Sequence, residues 1–251
     1  KESGIDLPGN HQRLSMLSLF LKEINAFFGS LLGYLVLSLF LVALGLIVWV
    51  FPETSVLEYG YADLEALFTY TPYVFTFLVP AISMRAIADE RKTGTWETSP
   101  LSLVQIILAK YLALLCLVFV ALLPTLLYFY SIVQLGNPVG NLDQAGFFGS
   151  WIGMIMIGAV FAAVGLFASS LTSQQVVAFV LGVFLCFVLY FGFSALADMQ
   201  LGNLSYLASD LSLSVHYTNL SRGVVDSTDI FFLFGMIWLF LGGSVLVLKN
   251  K

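Results

Sequence analysis

The residues best placed to do chemistry stand together between Arg85 and Leu103, in the stretch RAIADERKTGTWETSPLSL. Asp89, Glu90, Arg91 and Lys92 put both signs of charge side by side. Gly94 and Pro100 interrupt any helix running through the stretch, and Trp96, Leu101 and Leu103 add apolar side chains that need a partner or a membrane surface. A charge run alone reads as a solvated loop anchoring helix ends. A short helix with one apolar edge and a charged shoulder reads as a docking element for another protein. Catalytic readings are poorer. The chain has no G-x-x-x-x-G-K-[ST] phosphate loop. His11 and His216 are far apart and read as isolated histidines of polar loops, so no metal or catalytic site is expected from them. Cys116 and Cys186 lie deep in apolar runs, outside any C-x-x-C spacing, and read as packed thiols.

The elements that carry this stretch follow from composition. Of 251 residues, 59% are hydrophobic and only 10% are charged, against roughly 25% charged in a soluble domain. A membrane-spanning helix needs about 20 mostly apolar residues, and the apolar runs predict six: about Leu32–Phe51, Pro72–Ala88, Ile106–Val133, Phe147–Ala168, Val176–Ala195 and Asp229–Leu248. Pro80 and Pro124 are expected to kink the second and third. Residues 1–15 read as a flexible N-terminal extension or tag, with residues 16–251 as one membrane domain. From Met16 to Ser30, Leu17, Phe20, Leu21, Ile24, Phe27 and Phe28 share one helical face, with Lys22, Glu23 and Asn25 elsewhere. This is a helix lying at the membrane surface, or an extension of the first span. The fold class expected is an all-α membrane protein, six transmembrane helices preceded by an amphipathic interfacial helix.

Basic residues set an orientation. With the N-terminus cytoplasmic and an even number of spans, Lys22, Arg85, Arg91, Lys92, Lys110, Lys249 and Lys251 face inward and Arg222 outward. Glu53, Glu58, Asp63, Glu65, Asp143, Asp198, Asp210, Asp226 and Asp229 then lie outside, as the positive-inside rule requires. No acidic or basic residue is expected near the middle of a span, which disfavours proton-driven transport and an embedded hydrolase. A net charge of −5 without a basic patch gives nucleic acid nothing to bind. Asn203-Leu204-Ser205 and Asn219-Leu220-Ser221 are sequons on the outer side, where glycans would indicate a eukaryotic secretory membrane.

The order E-R-K-x-G-T-x-E-x-x-P-L-S, carried by Glu90, Arg91, Lys92, Gly94, Thr95, Glu97, Pro100, Leu101 and Ser102, resembles the cytoplasmic loop of ABC-2 type transporter permeases, and an I-x-x-x-K segment (Ile106–Lys110) follows it as in that family. In the outer segment His216, Tyr217, Ser221, Arg222, Gly223, Val224, Val225, Asp226 and Asp229 resemble the gliding-motility-associated permease subunit of the GldF type and a neighbouring group of copper-site maturation permeases. Read for their chemistry alone, Asp226, Ser227 and Thr228 make a helix N-cap, and Arg222 and Asp226 are spaced to pair.

The resemblance implies a non-catalytic permease chain, without a cofactor of its own, in the bacterial inner membrane with both termini cytoplasmic. ATP and Mg would be bound by a separate ABC ATPase subunit in two copies, and a second permease chain, in the gliding-type case a different subunit, would complete the transporter. Asp89, Glu90, Arg91, Lys92, Gly94, Thr95, Trp96, Glu97, Pro100 and Leu101 would form the ATPase-coupling loop. Phe20, Lys22, Glu23, Ile24 and Phe27 would belong to the interfacial helix beside it. The competing readings are a membrane scaffold of a motility or secretion assembly that moves no solute, and a membrane-embedded lipid enzyme.

Overall fold

The structure, a computed structural model, describes residues 8–59, 63–94, 101–137, 139, 143–199, 202–221 and 226–250. Every regular element among them is helical, and six helical segments are long and apolar enough to cross a membrane. The protein is an all-α membrane protein. Helix α1 (Pro8–Phe28) precedes the first span, α2 (Leu31–Trp49). A short helix α3 (Val56–Tyr59) leads to α4 (Glu65–Ser83), which a turn joins to α5 (Ala88–Thr93). The third span is α6 (Leu103–Leu122) continued by α7 (Thr125–Leu135); the fourth is α8 (Gln144–Leu171). The fifth is α9 (Gln175–Phe187), a π-helical turn Val188–Gly192 and α10 (Phe193–Asp198). Two short helices, α11 (Asn203–Leu211) and α12 (Leu213–Ser221), lead to the last span, α13 (Ser227–Lys249).

The starts of these helices are written locally. Ser30 caps α2 by accepting from the Gly33 N–H at 3.1 Å, Asp143 caps α8 through Gly146 at 3.0 Å, and Asp226 caps α13 through Thr228 at 3.1 Å. Ser102 and Gln105 form a reciprocal capping box on α6. Helix α1 is described from Pro8, so it includes residues ahead of the amphipathic run from Met16.

Helix α8 is the centre of the bundle, packing against α4, α6, α9, α12 and α13. Its glycines permit that crowding. A Cβ on Gly165 would stand 2.0 Å from Ser83 Oγ, and one on Gly158 would stand 2.5 Å from a Val118 methyl. Lipid-facing positions take the bulk instead: Leu31 and Leu39 on α2, Phe184 on α9, and Phe231 and Trp238 on α13 are all exposed.

The second span differs from its sequence expectation, and it does so at a proline. Pro72 was expected to open the second span, yet α4 begins at Glu65 and runs through Pro72 and Pro80. A proline inside a helix leaves the carbonyl of residue i−4 without its N–H. For Pro72 that carbonyl is Phe68, and the Tyr217 hydroxyl of α12 donates to it at 2.8 Å. A long-range hydrogen bond thus replaces the missing local one. Pro124 ends α6 and divides the third span at the position where a kink was expected. Tyr217→Phe is therefore expected to destabilise the fold by about 1–3 kcal/mol, read as a lower thermal unfolding midpoint. Pro72→Ala, which restores an N–H for Phe68, should remove most of that loss.

Candidate functional site

Charge is sorted along the bundle. Arg85, Arg91, Lys92, Lys110 and Lys249 lie at the end where α4, α8 and α13 finish, while Glu65, Asp143, Asp226 and Asp229 lie where those helices begin. The sequence-predicted loop sits at the basic end, and its first half is built into the bundle. After α4, the turn Met84–Ile87 is held by one side chain of α8. Ser169 Oγ donates to the Met84 carbonyl at 3.0 Å and accepts from the backbone N–H groups of Ile87 at 3.1 Å and Ala88 at 3.0 Å. That satisfies two of the open donors at the start of α5, which has no side-chain cap of its own.

Helix α5 then carries Asp89 and Glu90 in its first turn and Arg91 and Lys92 in its last, the order that complements the helix dipole. Gly94 ends it at φ +70°, the left-handed position that suits glycine, with its N–H donating to the Glu90 carbonyl. Arg91 Nη1 donates to the Ser170 carbonyl, one of the open acceptors at the C-terminus of α8. Gln175, at the start of α9, donates to Asp89 Oδ1 and accepts from Arg85 Nε at 3.3 Å. Helix α5 is thus pinned to the ends of α8 and α9 at Asp89 and Arg91.

Glu90 points the other way. Its Oε1 lies 2.9 Å from Lys110 Nζ, which also donates to Glu23 Oε1 at 2.6 Å. Lys22 stands 3.9 Å from the same Glu90 oxygen. Lys110 is only 2% exposed, so its ammonium has left water for two carboxylates. One buried cation on α6 therefore ties the interfacial helix α1 to the loop helix α5. A cavity of about 280 Å³ opens beside it, lined by Lys22, Glu23, Arg85, Asp89, Glu90 and Lys110 among others.

The remaining predicted residues are distributed as follows. Phe20, Ile24 and Phe27 on α1 are half-buried, and Ile24 and Phe27 pack on the core. Glu23, placed by the sequence pattern away from the apolar face, turns inward to Lys110. Leu101 is half-buried just ahead of the Ser102 cap. Thr95, Trp96, Glu97 and Pro100 lie outside the described residues, as do Arg222 and Gly223.

At the acidic end, the Ser221 carbonyl accepts from Ser150 Oγ at 3.0 Å, and Asp226 caps α13 as expected. His216 corrects the loop reading. It is buried on α12, its Nδ1 2.5 Å from Asp229 Oδ1 and its Nε2 2.9 Å from the Asp210 carbonyl, with its ring stacked on Phe232. Burial also pushes the neighbouring Tyr217 phenol well above its ordinary pKa. Sequence reasoning missed the anchors Ser169, Ser170 and Gln175, which carry no signal beyond being polar. Lys110 did carry one, as the single charge in a long apolar run. No group of three or more potential ligands occurs among the described residues that could hold a metal ion, and both cysteines are free thiols.

None of the curated proteins matches the chain. The family model for ABC-2 family transporter proteins matches residues 55–248, the span that holds α5, Lys110 and five of the six membrane segments. The chain belongs to the ABC-2 transporter family, whose members are multi-pass membrane permease subunits that work with an ABC ATPase partner.

Proposed function

We propose that the basic end of the bundle is the docking and transmission site for the ATPase. The observation that carries this reading is the Lys110 node, which joins α1, α5 and α6 through Glu23 and Glu90. Force applied to α5 from below is passed to α6 and α1 through ion pairs, and to α8 and α9 through Arg91 and Asp89. A helix held on two sides in this way moves with the spans rather than flexing alone. The exposed residues Lys22 and Lys92 orient the approach of the partner, and Trp96 and Leu101 supply apolar contact.

In this reading the basic end faces the cytoplasm of a bacterium and the protein lies in the inner membrane, with both termini inside. Two ATPase chains bind ATP and Mg, and this chain carries out no hydrolysis itself. A second permease chain, a different subunit, completes the membrane half. The motif His216–Asp229 supports the narrower reading of a gliding-motility transporter of the GldF type.

Arg91→Ala removes the tie to α8 while leaving the Lys110 node in place. Its expected result is a permease that inserts and co-purifies with its ATPase but stimulates ATP turnover several-fold less. Full stimulation in this variant would refute the role of α5 in transmission. Substrate-dependent ATP turnover in proteoliposomes separates a transporter from a scaffold that binds an ATPase and moves nothing.

A further inference from the structure

We propose that the acidic end of the bundle carries a binding site for a compact organic cation, an alkylammonium group. This site is separate from the basic end and its test needs no ATPase. A cavity of about 570 Å³ opens there between α4, α8, the π-helical turn and α12, a volume usual for small-ligand sites.

One wall is aromatic. Tyr73 of α4 meets Phe191 of the π-helical turn with ring centroids 4.6 Å apart, and Tyr190 lies 4.8 Å from Phe191 and 6.5 Å from Tyr73. Tyr190 is buried and Tyr73 about half exposed, so the wall runs from the interior to the opening. The π turn adds a residue to the helix repeat and gathers Tyr190 and Phe191 around Tyr73. Such turns recur at functional sites.

The mouth is anionic. Asp63, Glu65 and Asp143 line it, and the described lining residues include no lysine, arginine or histidine. Local backbone bonds account for one oxygen each of Asp63 and Asp143: Asp63 accepts from the Glu65 N–H at 2.9 Å just ahead of α4, and Asp143 caps α8 through the Gly146 N–H at 3.0 Å. Glu65 stands in the first turn of α4, where the helix dipole favours a carboxylate, but helix-end chemistry does not account for the rings or for the cavity. A cavity lined by both carboxylates and aromatic rings favours a cation by charge and by ring quadrupole together, and the carboxylates repel phosphate or carboxylate ligands. The Ser194 hydroxyl in the lining adds a neutral hydrogen-bonding group suited to a polar tail.

The test compares choline with its uncharged isostere 3,3-dimethylbutan-1-ol, titrated calorimetrically into the purified full-length permease in maltoside micelles. Choline should bind saturably, and the isostere at least about tenfold more weakly, since only the cation gains from the rings and carboxylates. Asp63→Asn/Glu65→Gln/Asp143→Asn should lose at least about tenfold in choline affinity with an unchanged unfolding midpoint, because asparagine caps a helix as well as aspartate does. Tyr190→Leu should weaken choline without strengthening the isostere. The proposal is overturned by an absence of saturable choline binding, by equal binding of the two isosteres, by wild-type affinity in the charge-neutral variant, or by a preference for inorganic phosphate.

Discussion

Lys110→Met should leave a permease that still inserts but neither holds its ATPase nor stimulates it. Methionine matches the length and apolar stem of lysine but removes the cation shared by Glu23 and Glu90. Two carboxylates then face each other beside the cavity with their buried counter-charge gone, leaving the exposed Lys22 at 3.9 Å from Glu90 as the nearest ion-pair partner. Breaking a buried pair costs roughly 3–5 kcal/mol. The lower end applies here, because the Glu23 and Glu90 side chains keep 23% and 20% exposure. The expected loss is about 3 kcal/mol, seen as a lower unfolding midpoint in detergent, with co-purification of the ATPase reduced by about tenfold, the equivalent of 1.4 kcal/mol. The companion variant Lys110→Met/Glu23→Gln/Glu90→Gln separates fold from transmission. With no charge left unpaired its stability should recover, since neutral replacement of a buried ion set costs little. Its ATPase stimulation should stay low, because the tether between α1, α5 and α6 is gone. If stimulation recovers together with stability, the node serves only the fold.

The second large effect is expected at the opposite end. Asp229 is 4% exposed in the first turn of α13, where a negative charge also complements the helix dipole. Its Oδ1 meets His216 Nδ1 at 2.5 Å and Asn219 Nδ2 at 3.4 Å, while its Oδ2 is buried without a hydrogen-bond partner. Asp229→Ala strands His216 between α12 and α13 and should cost about 3 kcal/mol. Limited proteolysis should show cleavage between α11 and α13 rising before the spans unfold. Asp229→Asn keeps the contact but not the charge, and should fall between the wild type and Asp229→Ala. An unchanged protease pattern in Asp229→Ala would show that the pair does not hold the outer helices to the bundle.

What could be read in the sequence, and what could not, follows the range of the forces involved. The spans at α2, α8, α9–α10 and α13 were legible because a run of apolar residues bounded by polar ones is a local signal. The cap at Asp226 is local too, and it was read. Helix α4 was misplaced at its start because Pro72 breaks a helix by every local rule. Its tolerance rests on Tyr217, far along the chain. Glu23 was placed on the outer face of α1 by helical periodicity alone. Its partner on α6 is visible only once the two helices pack. His216 looked like a loop histidine for the same reason, since burial on α12 and pairing with Asp229 are tertiary facts. The loop motif around Arg91 marked the right region, but not Ser169, Ser170 and Gln175, the partners that hold it.

Lys92 offers the most direct measurement of the central claim, that α5 is where the ATPase docks. It is exposed at the last turn of α5, and its neighbours Asp89 and Arg91 are turned into the bundle. In a chain freed of Cys116 and Cys186, Lys92→Cys is treated with a short thiol-to-amine crosslinker in native membranes, with a cysteine at Glu53, on the acidic end, as the control. The account predicts one covalent product joining the permease to an ABC ATPase chain from position 92, changing in yield with ATP, and none from position 53. An ATPase that co-purifies in full yet crosslinks from position 53 and not from position 92 would contradict it.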